Sequence, residues 1–366
     1  MPFSGFLGNQ LTLRHLREAL AADRLPHALI LAGPRGSGKY TLAIMLAQAA
    51  NCLNPPANPD GLPDFCGHCS NCLRIAESAD LDARCAEAVA AREDLRDVDK
   101  RDTRILIQTH PDVLVIPPDP PQLLIKIGQV RVLTREIYRI PGQARRSFFI
   151  FTSAAFMKEA ANALLKVLEE PPAHATIVLL AENPGELLPT IRSRAGIFPL
   201  GAIATGEIES LLAERRPELK PRERAMVARL AEGAIGRAIG FDLASYLASR
   251  ADALVLLRNA MGEADASDLF KVTDTYRAGA EGQEKTEGLL RAANSILEDL
   301  LLLKSETPHL VRNIDLQKEL ASMASAVTFD WIEAAARGLR QVESGMRRNL
   351  LRSLALDSFA AQLASS

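Results

Sequence analysis

The 366-residue chain carries 43 lysines and arginines against 45 aspartates and glutamates, a net charge of −2. That balance excludes a protein that coats nucleic acid by bulk electrostatics, so any contact with DNA should be local. With 48% hydrophobic and 24% charged residues it reads as a soluble globular protein, too long for one ordinary core, and two or three domains are expected. No apolar run reaches membrane-spanning length, and Met1-Pro2-Phe3-Ser4-Gly5 lacks the charged start and apolar middle of a signal peptide. No membrane association and a cytoplasmic location are expected. There, five cysteines read as metal ligands or plain thiols rather than disulfides.

In chain order, Leu11, Leu16, Ala19 and Leu20 predict a short amphipathic helix, and Arg24-Leu25-Pro26-His27-Ala28 leads into an apolar strand. His27 is given no catalytic role. The strand Ala28-Leu29-Ile30-Leu31 runs into Gly33-Pro34-Arg35-Gly36-Ser37-Gly38-Lys39-Tyr40, which opens a helical pattern. Strand, glycine loop and helix form the context of a phosphate loop. Backbone N–H groups around Gly33, Gly36 and Gly38 would face an anion, and Lys39 would reach the outer phosphates. The next residue should be Ser or Thr, whose hydroxyl binds Mg²⁺, and here it is Tyr40. A phenol is too long and bulky for that pocket. The loop is therefore read as degenerate, its nucleotide site vestigial.

An irregular segment, Asn54 to Pro63, precedes Cys66-Gly67-His68-Cys69-Ser70-Asn71-Cys72. The C-x₂-C-x₂-C triplet puts three thiolates on one tight turn, and Cys52 completes the four soft ligands of a structural Zn²⁺ site. His68 is the substitute ligand, with Cys52 preferred because it makes a Cys₄ set. The turn offers little apolar material to bury the cysteines. Cys85, alone in a helical stretch, is read as inert. Residues Ala76 to Arg104 have no wide apolar stripe and read as a solvated helix or mobile insertion.

The core resumes at His110 to Ile116, and Pro117 to Pro121 forms a stiff loop. Ile127 to Arg139 is a helix with Arg131, Arg135 and Arg139 on one solvated basic face. Ser147-Phe148-Phe149-Ile150-Phe151 is a buried strand, but it runs into Thr152-Ser153 where a P-loop ATPase has Asp-Glu to hold Mg²⁺ and polarise water. A helix from Met157 to Leu168 is stopped by Pro171-Pro172, and a strand Thr176 to Leu180 follows. Then come Ile191-Arg192-Ser193-Arg194-Ala195 on a short apolar helix. Beyond Ile208 the pattern is helical. Glu207–Arg215, Arg222–Glu232 and Arg237–Leu247 suit a three-helix unit, and leucine-rich helices continue around Leu254, over Lys285–Leu303, Phe329–Val342 and Arg347–Leu363.

Ala161-Asn162-Ala163-Leu164-Leu165-Lys166-Val167-Leu168-Glu169-Glu170-Pro171-Pro172 resembles the clamp-loader family of AAA+ proteins almost residue for residue. Leu25-Pro26-His27-Ala28, the phosphate loop, the cysteine insertion and Ile191-Arg192-Ser193-Arg194 occur in that family's order, so the resemblance covers about residues 6 to 240. In the family's ATPase subunit the catalytic carboxylates would fall on Phe151-Thr152, the Mg²⁺ hydroxyl on Tyr40, and the sensor arginine on Gly236, with Arg237 one place late. These three departures make the chain most similar to the family's non-hydrolysing delta-prime branch. The family's Ser-Arg-Cys motif reads Ser193-Arg194-Ala195 here.

The resemblance implies an α/β fold: an AAA+ P-loop domain, a parallel sheet flanked by helices, over residues 1–200. That domain would carry the Cys₄ zinc insertion at about 52–72 and the charged insertion at about 76–104. A small helical lid would follow over 201–247, and an all-α collar for assembly over 248–366. It implies that Arg194 reaches across an interface to the γ-phosphate in a neighbour's site, with no ATPase activity for the isolated chain. The implied partners are gamma/tau-type ATPase subunits, a delta subunit, the sliding clamp and, through the assembly, primer–template DNA. Two other classes compete. An active gamma/tau-type ATPase would need carboxylates from outside the usual strand end. A zinc-dependent DNA-binding module would need a basic surface where Asp60, Asp64, Glu77 and Asp80 stand instead.

Overall fold

The computed structural model describes residues 2–263, 266–276, 280–346 and 351–364. They form two compact units, one comprising Met1–Ala204 and Gly233–Arg237, the other Thr205–Glu232 and Ala238–Ser366. The first unit is built on a six-stranded sheet. Its strands are β1 (Ala28–Ala32), β2 (Ile107–His110), β3 (Val113–Ile116), β4 (Ser147–Phe151), β5 (Ala175–Ala181) and β6 (Gly196–Pro199), in the order β2-β3-β4-β5-β1-β6. All neighbours are parallel except the β2–β3 pair.

Strands β1, β3, β4 and β5 are buried along their whole length. Their side chains divide by the period of two. Leu29, Leu31, Val113, Val115, Phe148, Ile150, Val178 and Leu180 enter one core. Ile30, Leu114, Ile116, Phe149, Phe151, Ile177 and Leu179 enter the other. The first face is covered by α1 (Gln10–Ala21), α2 (Lys39–Asn51) and α3 (Ser70–Ala76), through Leu13, Leu16, Leu42, Leu46 and Ile75. Helices α4 (Leu81–Glu93) and α5 (Asp97–Asp102) follow in the chain. The second face is covered by α6 (Ile127–Glu136), α7 (Lys158–Glu169) and α8 (Pro189–Arg192), through Val130, Leu133, Leu164, Leu168 and Ile191. The expected parallel sheet flanked by helices is the architecture observed.

The charged insertion is more firmly tied than its composition suggested. No residue of α4 is buried, yet Leu81 and Cys85 pack against the first core. Near the helix end, Arg92 Nη1 bonds Asp119 Oδ1 at 2.6 Å, and the Asp119 side chain is fully buried. That pair spans 27 residues, which no local pattern reveals.

The second unit is all-α. It contains α9 (Thr205–Arg215) and α10 (Pro221–Leu230), and α11 (Ile235–Ile239) straddles the division in the chain. Then come α12 (Leu243–Ala260), α13 (Ala266–Thr273), α14 (Ala280–Lys304), α15 (Gln317–Ala326), α16 (Phe329–Met346) and α17 (Arg352–Ala364). The single helix expected over Arg237–Leu247 is two: α11 ends at Ile239, and Asp242 caps α12 by accepting from the Ser245 N–H at 3.0 Å. The segment expected as a lid thus contributes to both units. The first residues of the last expected helix, 347–350, lie outside the described residues.

Leu256, Leu257, Leu289, Ile296, Leu300, Leu339 and Leu356 form part of this unit's core. Beside them, Arg250, only 7% exposed, donates to both Asp315 oxygens at 2.7 and 2.6 Å and to Asn313 Oδ1 at 3.0 Å. Tyr246 donates to the same Asn313 oxygen at 2.8 Å, and Asn313 Nδ2 donates to the buried Asp299 at 2.7 Å. Arg250→Ala removes the donor that satisfies Asp315 and half of Asn313. It is expected to lower the unfolding free energy by about 2–3 kcal/mol, the scale of hydrogen bonds to charged groups. Urea denaturation followed by circular dichroism measures it.

Candidate functional site

In open parallel sheets, ligands bind beyond the carboxyl ends of the strands where the chain order reverses. Here that place is the end of β1, which lies between β5 and β6, and it is where the glycine loop sits. Gly33 N donates to Ala181 O at 3.1 Å and Leu200 N to Ala32 O at 2.6 Å, so the loop leaves the sheet from a fixed frame. Gly36 and Gly38 adopt φ of 82° and 88°, the left-handed region that disfavours side chains. A Cβ at Gly36 would lie 2.8 Å from the Arg237 backbone nitrogen, and one at Gly38 would meet the Phe6 ring at 3.1 Å.

Several of the loop's carbonyls are bonded within the protein, whereas the buried Ser37 hydroxyl has no hydrogen-bond partner. Lys39 Nζ donates to the carbonyls of Gly33 at 2.5 Å and Pro34 at 2.8 Å. Gly236 N donates to Gly36 O at 2.8 Å, so the residue aligned with the family's sensor arginine is itself hydrogen-bonded to the loop. Burial holds the Lys39 ammonium below the ordinary lysine pKa, against the opposing charges of Glu182 and Glu186. Those two carboxylates, unnoticed in the sequence, add negative charge beside a loop that would bind phosphate. Glu182 directly follows β5 at the same sheet edge as Gly33, which was the available signal.

Tyr40 points away from any metal-ligand role. Its hydroxyl donates to Ser78 O at 2.5 Å, at the head of the charged insertion. Burial pushes its phenol pKa up to about 12. At the end of β4, Thr152 N continues the sheet by donating to Ile116 O at 3.2 Å, and no carboxylate follows.

The four cysteines converge. The sulfurs of Cys52, Cys66, Cys69 and Cys72 all lie within 4.8 Å of one another, with Cys66 and Cys72 Sγ 4.0 Å apart. Tetrahedral Zn–S bonds of about 2.3 Å set sulfurs roughly 3.8 Å apart, so the cluster is close to that geometry. Cys66 N donates to Cys52 Sγ and Cys69 N to Cys66 Sγ, each at 3.3 Å. Gln48 Nε2 fixes the Cys72 carbonyl at 2.9 Å. His68 is exposed, its Nδ1 2.9 Å from Cys66 O, and it stands outside the cluster. The expectation of little apolar cover is corrected: Cys52, Cys69 and Cys72 are buried in the same core as Phe3, Phe65 and Ile75. The aromatic cover comes partly from the chain's own start, sixty residues away in sequence. Burial pushes the Cys52 and Cys72 thiols up. At Cys69 burial also acts upward, but hydrogen bonds from the Cys72 and Leu53 backbone and the neighbouring cysteines bring it down to about 6. Four clustered sulfurs, three of them on buried cysteines and that of Cys66 on a half-buried one, are a donor set suited to a soft divalent cation.

Arg194 lies elsewhere. Gly196 pairs with Leu29 at the start of β1, so Arg194 stands at the amino edge of the parallel strands, while the glycine loop lies at the carboxyl edge. At about 3.3 Å per residue the two are on the order of 15–20 Å apart. Its Nη2 bonds Glu169 Oε1 at 2.9 Å and its Nη1 bonds Thr190 O at 3.0 Å. Arg192 differs: its Nε is buried without a hydrogen-bond partner.

A family model described as DNA polymerase III, delta subunit, matches residues 8–204. The chain is 29% identical over 285 residues to the DNA polymerase III subunit gamma/tau of Mycobacterium tuberculosis, covering 75% of this chain and 42% of the relative. It is 29% identical over 219 residues to the subunit delta' of Bacillus subtilis, covering 60% of this chain and 54% of that one. With the subunit delta' of Pseudomonas aeruginosa it shares 31% over 169 residues, 46% of this chain and 41% of the relative. The chain thus spans about half or less of the length of these curated relatives. A solved gamma subunit-related protein from Thermotoga maritima superposes with a TM-score of 0.43 at 17% identity, over 96% of this chain and 98% of that one. Among the described residues, no helix is long and apolar enough to cross a membrane.

Tyr40→Phe deletes the phenol that satisfies Ser78 O, and a loss of about 1 kcal/mol is expected, the net worth of one hydrogen bond. The sign of its pH dependence follows from the raised pKa. The neutral phenol's contribution is full below the ordinary value of 10.0 and is lost as pH rises toward about 12. Alkaline difference absorbance between wild type and Tyr40→Phe should show one phenol ionising near the upper value.

Proposed function

The chain belongs to the DNA polymerase III delta-subunit family of clamp-loader proteins, and from that premise we propose that it is the non-hydrolysing, delta-prime-type subunit of a sliding-clamp loader, lending Arg194 to a neighbour's ATP site. Its partners on this reading are gamma/tau-type ATPase subunits, a delta subunit, the sliding clamp and primer–template DNA through the assembly. The observation that carries the reading is the division of chemistry between the sheet's two edges. At the carboxyl edge Tyr40 is committed to Ser78, Lys39 to its own loop carbonyls, and β4 ends without a carboxylate. At the amino edge Arg194 has a side chain that is 35% exposed. It stands too far from its own loop to serve it, so an arginine used in phosphoryl transfer would have to serve another chain.

The role of each group follows from its chemistry. A guanidinium presents several N–H donors in a plane, matching the oxygens of a γ-phosphoryl group, and neutralises charge that builds there during transfer. Lys39, Gly33, Gly36 and Gly38 remain as the frame of a vestigial nucleotide loop. Cys52, Cys66, Cys69 and Cys72 would hold Zn²⁺, whose charge offsets thiolates that could not otherwise ionise together in a buried cluster. The zinc is structural, since all four positions would be filled by protein ligands and none left for a reacting water. The relatives include both gamma/tau and delta' proteins. An active ATPase of the gamma/tau type is therefore the alternative that the measurements below must separate.

The purified chain is expected to hydrolyse no ATP. In a complex reconstituted with gamma/tau-type subunits, Arg194→Ala should leave assembly and zinc content intact. Turnover at the one facing site should fall on the order of 10³-fold, the scale of known arginine fingers, with a modest change in total turnover. Arg194→Lys should rescue poorly, because an ammonium lacks the planar fork. Intrinsic turnover that vanished in Lys39→Ala would establish the ATPase alternative instead. For the metal, elemental analysis should return one zinc per chain in the wild type and well below one in Cys69→Ser. A full equivalent in that variant would remove the assignment.

A further inference from the structure

Resting on the assignment of Arg194 as a finger, we propose that Glu169 is its positioning residue: the last carboxylate of α7 fixes the direction in which the Arg194 guanidinium leaves the subunit. Three observations carry this. Arg194 is anchored at both terminal nitrogens, Nη2 to Glu169 Oε1 at 2.9 Å and Nη1 to Thr190 O at 3.0 Å, with Ser193 Oγ at 3.5 Å. Arginine has five N–H donors, so these contacts leave others on the same rigid plane for an outside anion. The Arg194 side chain is 35% exposed and that of Glu169 54%, so the pair lies at the surface without being sealed by it.

The second observation is where the carboxylate stands. Glu169 is the final residue of α7, at the negative end of the helix dipole, where an acidic side chain is unfavourable unless a cation lies beside it. Holding Arg194 there relieves that repulsion, so the pair has a preferred geometry rather than a loose one. The third is the contrast with Arg192. The neighbouring arginine, of equal charge on the same short segment, has its Nε buried without a partner. The contacts therefore single out Arg194 for a defined orientation.

A long side chain that must arrive at a phosphate in one orientation loses rotamer freedom when it does so, and a partner that restricts it beforehand reduces that loss. The Glu169–Arg194 pair is an exposed one and weak by its nature. It can therefore orient the guanidinium without holding it against the much larger charge of a nucleoside triphosphate. Glu169 itself touches no nucleotide on this reading and acts only through Arg194.

The test is a double-mutant cycle in the reconstituted complex, with folding checked by circular dichroism and assembly by size exclusion. Glu169→Gln should lower kcat at the facing site by up to about fivefold, the range of an exposed ion pair, with KM for ATP unchanged. Glu169→Asp, which keeps the charge on a stem one methylene shorter, should recover part of the loss. Glu169→Gln added to Arg194→Ala should cost nothing more. An additional loss in that double variant, or a change in KM alone, would show a structural role and overturn the positioning assignment. Unchanged turnover in Glu169→Gln while Arg194→Ala is impaired would overturn it too, leaving the finger reading standing. Unchanged turnover in Arg194→Ala would remove the finger itself, and this inference with it.

Discussion

The burial of the parallel strands on both faces is the constraint from which the rest of the first unit follows. Strands β1, β3, β4 and β5 expose no residue, so each must alternate its side chains between two helical layers. Parallel strands also need crossovers that return to the same edge, and every crossover begins at the carboxyl edge and ends at the amino edge. Loops at the two edges are thereby separated by the length of a strand. The glycine loop is fixed at one edge because it follows β1, and Arg194 at the other because it precedes β6. Neither can drift toward the other without breaking the sheet.

The same frame holds the glycine loop in shape at the carboxyl edge. Lys39 satisfies two of the loop's carbonyls and Gly236 a third, and Phe6 packs over Gly38, while the Ser37 hydroxyl is buried without a hydrogen-bond partner. Tyr40 has found other work. Its phenol ties the start of α2 to Ser78, between the cysteine cluster and the charged insertion. The chain's first residues add a further tie, since Phe3 N donates to Asp64 and the Phe3 ring meets Phe65 edge-on at 5.8 Å. The cysteine loop is thus packed into the core it was inserted beside.

Much of this was legible in the sequence, and the remainder fails for identifiable reasons. Continuous apolar runs gave β1, β3, β4 and β5, and the C-x₂-C-x₂-C spacing with Cys52 gave the four-cysteine cluster. Local composition misled where the decisive partner was distant. The insertion looked solvated because Asp119, which receives Arg92, lies 27 residues on, and the cysteine turn looked uncovered because Phe3 lies sixty residues back. The break between α11 and α12 was missed because the helical pattern continues through Gly240-Phe241. The capping role of Asp242 outweighs it. Glu182 and Glu186 were passed over because their meaning depends on Lys39, a strand away in the sheet and 143 residues away in the chain for Glu182.

The distance between the two sheet edges also bears, on the function proposed, on how Arg194 could serve a neighbour while the glycine loop at the far edge serves no reaction. On the function proposed, a residue that acts within its own chain shares its use with the groups around it: with Tyr40 at the position of the metal-binding hydroxyl, a carboxylate after β4 or a sensor at Gly236 would have nothing to assist. Arg194 is not in that circle. Its hydrogen-bond partners, Glu169 and Thr190, belong to α7 and α8 on the other helical layer. On the function proposed, its use is set by a neighbour's nucleotide, so the requirement on it is to stay exposed, charged and aimed. An ion pair at the surface meets that requirement better than a buried one. A buried pair would hold the guanidinium against any competing anion and cost several kcal/mol to open, whereas an exposed pair gives direction at a cost that a triphosphate can offset.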